Sequence, residues 1–175
     1  MYSDQITVFD ALIDGLRISN QKLNDKCLAA LRSIGKRVVP NLQAAAADQA
    51  TQDPHRRRLL VAIEMIENGL HFDGRVGFHV IEALFESLRV HNSELNCKAI
   101  QAIKCLPAGL INRLITEAVC NYKKPGFCVR LLSAAEQLDG SPDVNQHMNL
   151  FTLMSIANPK VREQVGRLLL RYAPH

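Results

Sequence analysis

Residues 150–170 read LFTLMSIANPKVREQVGRLLL. An aliphatic run meets the break Asn158-Pro159, and a second run follows with apolar residues at helical spacing. Asn158-Pro159 is a tight break between two helices. Arg162, just inside the second helix, has counterparts along the chain: Lys26, Arg58, Lys98 and Arg130 precede it at successive intervals of 32, 40, 32 and 32 residues. Four residues after each cation stands a small residue: Ala30, Ala62, Ala102, Ala134 and Gly166. Eight after each stands an aliphatic one: Ile34, Ile66, Leu106, Leu138 and Leu170. At two residues after, Leu28, Leu60, Ile100 and Leu132 are again aliphatic, and Gln164 is the exception. Offsets of four and eight fall near one helical face. The chain is a helical repeat.

Outward from that hairpin, the same punctuation recurs. Phe9, Leu12, Ile13 and Leu16 form the stripe of an opening helix over residues 6–18. Asn24 is placed to cap the next helix and Gly35 to stop it, and Pro40 starts a small-residue helix. Asp53-Pro54 opens HRRRLLVAIEMIEN. The segment 68–77, NGLHFDGRVG, holds three glycines and coincides with the long interval. Insertions in repeat arrays emerge as loops, often on the binding face, so Leu70, His71 and Phe72 are candidate contact residues. Set against this, Phe72 also suits a local core. Helices resume with Ile81, Leu84, Phe85 and Leu88 inward, then after Asn92-Ser93, then from Pro107 through Leu110, Ile111, Leu114 and Ile115. Tyr122–Gly126 is a turn, and in Asp139-Gly140-Ser141-Pro142 the serine is the expected N-cap. The expectation is about ten helices in five antiparallel pairs, an α-solenoid forming one domain over residues 1–175.

Composition agrees. Aromatic residues are 5 % with no Trp, and the apolar residues are mostly Leu, Ile, Ala and Val, which suits helix packing better than a β-sandwich. The net charge of +4 does not by itself imply a nucleic-acid or membrane partner. MYSDQITVFDALIDG lacks a basic start and a continuous apolar stretch, so no signal peptide is expected. No run approaches a bilayer span, and the expected setting is cytoplasmic. The cysteines Cys27, Cys97, Cys105, Cys120 and Cys128 contain no CxxC pair and read as reduced and structural.

Two stretches carry a family resemblance: Leu150–Leu170, with Pro159-Lys160-Val161-Arg162, and Leu114–Leu138, with Val129-Arg130. An aliphatic helix, a short polar turn with proline, then Val-Arg and small and aliphatic residues resembles the short HEAT-like repeats. Elsewhere Asp25-Lys26, Arg57-Arg58 and Cys97-Lys98 hold the Val-Arg position. The Trp and Tyr positions of tetratricopeptide repeats and the ankyrin Thr-Pro-Leu-His signature are absent. The resemblance implies a right-handed superhelical array that serves as a platform for other proteins. It also implies that the second helix of each pair lines an inner wall, presenting His79, Glu82, Glu86, Arg113, Glu117, Asn145 and Asn149. The bland alternative for these residues is an ordinary hydrated helix face.

The cationic ladder admits a second function. Stacked units would align Lys26, Arg58, Lys98, Arg130 and Arg162 as a basic ridge able to hold nucleic-acid phosphates, with Arg56, Arg57, Lys123 and Lys124 nearby. HEAT-like DNA glycosylases set a precedent, though their aromatic and acidic pocket residues have no counterpart here. Against it, each cation shares a face with a packing residue at +4, which favours a bridging role, and no aromatic interleaving supports base stacking. A role like that of HEAT-like phycobilin lyase subunits rests on fold analogy alone. His79, Glu82 and Glu86 share a face that a metal or acid–base chemistry would use, but no HExxH or His-Glu dipeptide accompanies them, which also sets aside the deoxyhypusine hydroxylases. No GxSxG or glycine-rich phosphate loop is present. The sequence therefore predicts a non-enzymatic protein-interaction module or scaffold without cofactor or metal, binding a partner protein or peptide.

Overall fold

The computed structural model describes residues 2–68, 76–106, 109–155 and 158–172, with side chains in the first helix from Thr7 onward. Among the described residues the chain is all-α, with no strand. The helices are α1 (Tyr2–Gly15), α2 (Gln21–Ile34), α3 (Val39–Ala47), α4 (Asp53–Glu67) and α5 (Val76–Arg89). They continue with α6 (Ser93–Lys104), α7 (Leu110–Cys120), α8 (Pro125–Glu136), α9 (Val144–Met154) and α10 (Pro159–Arg171). A 3-10 turn, Gly35–Val38, joins α2 to α3. No described helix is long and apolar enough to cross a membrane.

Helix ends follow the polar residues, with shifts of a few positions. Asn158 caps α10, its Oδ1 accepting from Lys160 N at 3.1 Å and Val161 N at 3.3 Å. Asn92 Oδ1 accepts from Leu95 N at 2.9 Å and opens α6. Gly35 closes α2 at φ 75°, a left-handed conformation that favours glycine. The cap of α2, however, is Asn20 and not Asn24: Asn20 Oδ1 accepts from Leu23 N at 3.1 Å, and Asn24 is buried one turn inside the helix. Likewise Asp143 replaces Ser141 as the cap of α9, its Oδ1 accepting from Gln146 N at 2.8 Å. A carboxylate at an N-cap also meets the positive end of the helix dipole. Asp53 sits inside the first turn of α4 with Pro54, and Gln52 takes the cap position without a side-chain bond.

The contacts divide the chain into two compact units, Met1–Ala102 and Ile103–His175, with the division falling inside α6. In the second unit, α7 pairs with α8 and α9 with α10, while α7 also packs on α9 and α8 on α10. That is the contact pattern of two helical hairpins laid side by side, first helix on first and second on second. Leu114, Leu131, Leu132, Leu150, Leu153, Val165 and Leu168 are fully buried between them.

The first unit begins the same way. α1 pairs with α2 and α3 with α4, and α1 meets α3 as α2 meets α4. Then the order departs from a serial stack. α5 packs most closely on α2 and also meets α1, so α2 becomes the central helix of this unit. Two ion pairs fix the register: Lys22 Nζ lies 3.1 Å from Glu86 Oε2, and Lys26 Nζ lies 2.9 Å from Glu82 Oε2. Ascending residues on α2 match descending ones on α5, so the helices are antiparallel. The return from α4 to α5 is made where the repeat interval lengthens to 40. Close approach is also built in at Gly15, where a Cβ would overlap Cys27 Sγ of α2. Glycine there lets α1 settle on α2.

The repeat landmarks are mostly packing positions. Ala30, Ala62, Ala102 and Ala134 are all fully buried. Two landmark leucines are not inward: Leu60 and Leu170 are exposed on the outer faces of α4 and α10.

Candidate functional site

The turn-facing cations act first as caps for neighbouring helices. Arg56 Nε donates to Ala46 O at 3.0 Å, and Arg58 donates to Arg17 O at 3.1 Å, so α4 supplies donors to the carbonyl ends of α3 and α1. In the second unit Cys128 Sγ donates to Asn121 O at 3.0 Å, and Arg171 donates to Leu138 O at 3.0 Å. Lys98 of α6 bonds Asp14 of α1 and lies 3.3 Å from Glu94. The hydrogen bond to Asp14 raises the Lys98 pKa. Of the predicted ridge, then, Lys26, Arg58 and Lys98 tie helices together. Arg130 is half-buried, with burial lowering its pKa, and Arg162 is exposed.

A cavity of about 310 Å³ opens in the first unit beside these bonds, lined by Asp10, Asp14, Asn41, Thr51, His55 and Lys98 among others. Asp14 is shared by Lys98 and Arg17, whose Nη1 is 3.4 Å away. Burial raises the pKa of Asp10, the neighbouring Asp14 raises it further, and Lys98 opposes. His55 is buried, with Nε2 3.3 Å from Ile13 O and no partner for Nδ1 among the described residues. Desolvation lowers its pKa, the bond to Ile13 opposes, and the Arg17 and Arg58 charges lower it further. Among the described residues no group of three or more His, Cys, Asp or Glu side chains is arranged to hold a metal.

The predicted partner-binding residues fall in several places. Leu70, His71 and Phe72 lie outside the described residues. His79, Glu82 and Glu86 share α5, where Glu82 and Glu86 bind α2, and Glu86 is buried with Arg89 Nε 3.7 Å away. Arg113 and Glu117 are half-buried on α7, with Glu117 accepting from Asn121 Nδ2 at 2.9 Å. Asn145 is exposed on α9, and half-buried Asn149 donates to Gln146 Oε1 at 2.9 Å.

Between and beside those two asparagines lies a feature the sequence reading passed over. Val144, Met148 and Phe151 are 80 %, 63 % and 58 % exposed, and Met154 and Ser155 are exposed at the same end. The offsets 0, 4, 7 and 11 place Val144, Met148, Phe151 and Ser155 on one arc, opposite buried Leu150 and Leu153. The helix VNQHMNLFTLM contains no charged residue. A helix apolar on both arcs belongs between two layers, and among the described residues only one layer is present. The sequence signal was available: eleven residues without a charge, with apolar side chains on opposing arcs. The start of α9 is tied to α7, since Asn112 Nδ2 donates to Asp143 Oδ2 at 2.9 Å and Asp143 N donates to Asn112 Oδ1 at 3.1 Å. No family model, curated protein or solved structure matches the chain.

Proposed function

We propose that this chain is a non-catalytic, HEAT-like helical docking module, an α-solenoid-type scaffold for a partner protein or peptide. The observation that carries the proposal is the outward apolar arc of α9, Val144, Met148 and Phe151, rimmed by the amides of Asn145 and Asn149. An apolar centre with a polar rim is the anatomy of a protein interface, in which the core excludes water and the rim supplies hydrogen bonds. The hairpin-on-hairpin contacts of α7 to α10 support the repeat reading, and the exposed cysteines Cys97, Cys105 and Cys120, none in a disulfide, suit a cytoplasmic setting. The test is a photo-reactive amino acid placed in cells at position 148, with position 160 on α10 as an exposed control. Covalent adducts specific to position 148 and lost with Phe151→Asp are expected. Equal adducts at both positions, or none from 148, would remove α9 as the docking face.

A further inference from the structure

We infer that the cavity of the first unit is a binding site for a small organic cation, a protonated amine or guanidinium whose N–H groups meet a wall of acceptors. The site is separate from α9, so its failure leaves the docking reading untouched.

The wall is built so that hydrogens are spent and lone pairs are left. Thr51 and His55 both line the cavity and are only 6 % and 5 % exposed. Thr51 Oγ1 donates to Ala45 O at 2.8 Å, so this hydroxyl keeps only acceptor capacity. His55 Nε2 faces Ile13 O, which places the hydrogen on Nε2. Nδ1 is then a bare acceptor, without a partner among the described residues. Asp10 makes no hydrogen bond or ion pair among the described residues.

Charge points the same way. The lining holds three carboxylates, Asp10, Asp14 and Asp48, against two cations, Lys98 and Arg17. Asp14 engages both cations, and Lys98 also meets Glu94. Burial lowers the pKa of His55, so it adds no positive charge. Asp10 and Asp14 stand one turn apart on α1, a like-charge pair that a bound cation relieves. The ends of α1 and α3 also reach the cavity through Ile13, Ala44 and Ala45, and a helix C-terminus is the negative end of its dipole. Arg56 and Arg58, which cap those ends, are not among the lining residues. An anion would have to draw Lys98 or Arg17 away from Asp14. At about 310 Å³ the space lies at the lower end of small-molecule pockets, which suits a ligand of few heavy atoms.

The test is an NMR titration of the purified full chain with n-butylammonium and n-butylguanidinium. Butyrate and 1-butanol serve as anionic and neutral counterparts. The cations should shift the amides of Asn41, Thr51 and His55, saturating at the millimolar concentrations expected of so small a ligand. The counterparts should not. Asp10→Asn should weaken binding about tenfold, the worth of a hydrogen bond to a charged group, and keep the circular dichroism of the parent because Asp10 has no bond to lose. Asp139→Asn makes the same charge change at an exposed position of the second unit and should leave binding as it is. The tighter of the two cations then identifies the head group. No saturable shift, an equal response to butyrate or butanol, or binding that Asp10→Asn weakens no more than Asp139→Asn would overturn the inference.

Discussion

His55 shows how one buried side chain couples packing to pH. It sits between the end of α1 and the start of α4, with Nε2 against Ile13 O and two arginines, Arg17 and Arg58, close enough to disfavour its charge. Its folded pKa lies below the free imidazole value, so as pH falls the unfolded chain takes up the proton first. The stability contributed by neutral His55 is therefore complete above about pH 6.5 and is lost as pH drops below it toward the folded pKa. Urea midpoints measured between about pH 7.5 and 5.5, a window spanning the free imidazole value, should fall more steeply for the parent than for His55→Gln. Asp10, whose pKa burial raises, acts in the opposite sense but is common to both proteins. Equal slopes would mean that His55 is not held neutral. Little of this was legible in the sequence. Ile13 is 42 residues from His55, and Asp14 is 84 from Lys98, so the cavity depends on long-range packing that no local spacing encodes. What could be read locally was the small residue at each landmark, since an alanine repeated in phase signals close helix contact whatever the partner.

At the scale of the helix, α9 separates what periodicity can and cannot say. Apolar residues on opposing arcs identify a helix, yet they do not reveal which arc its own unit will bury. The structure turns Leu150 and Leu153 inward and leaves Phe151, the larger side chain, outside. Adjacent residues should therefore respond differently. Leu150→Ala removes a fully buried side chain and should destabilise by about 2–5 kcal/mol, the cost of lost burial plus a cavity. Phe151→Ala should stay within about 0.5 kcal/mol. Chemical denaturation of the two variants decides it, and equal losses would mean that α9 is turned about its axis from the orientation described. Caps illustrate the same limit. Asn92 is placed from sequence because an apolar run follows it, whereas Asn24, the expected cap of α2, is buried one turn inside the helix and Asn20 takes the cap.

For the molecule as a whole, the all-α class was legible and the order in which the helices pack was not. A repeat predicts that each pair leans on the one before, which describes α7 to α10 and α1 to α4. α5 instead returns to α2, guided by Lys22 and Lys26 against Glu86 and Glu82, and that complementarity emerges only when the two helices are set antiparallel. The same bonds bear on the nucleic-acid alternative. A phosphate approaching Lys26 or Lys98 must displace Glu82 or Asp14, and one approaching Arg58 must replace the bond to Arg17 O. Breaking such a pair leaves a partly buried carboxylate without its cation, which opposes phosphate binding. Short single- and double-stranded DNA should accordingly bind no tighter than about 10⁻⁴–10⁻⁶ M at physiological salt, the range of sequence-independent contact. Fluorescence anisotropy at two salt concentrations measures this directly. A tight complex that weakens by roughly a thousandfold or more on raising salt would show several phosphates neutralised at once. Cations already bonded within their own unit cannot deliver that response without loosening the helices they join, so such a result would require Lys26, Arg58 and Lys98 to exchange partners on binding.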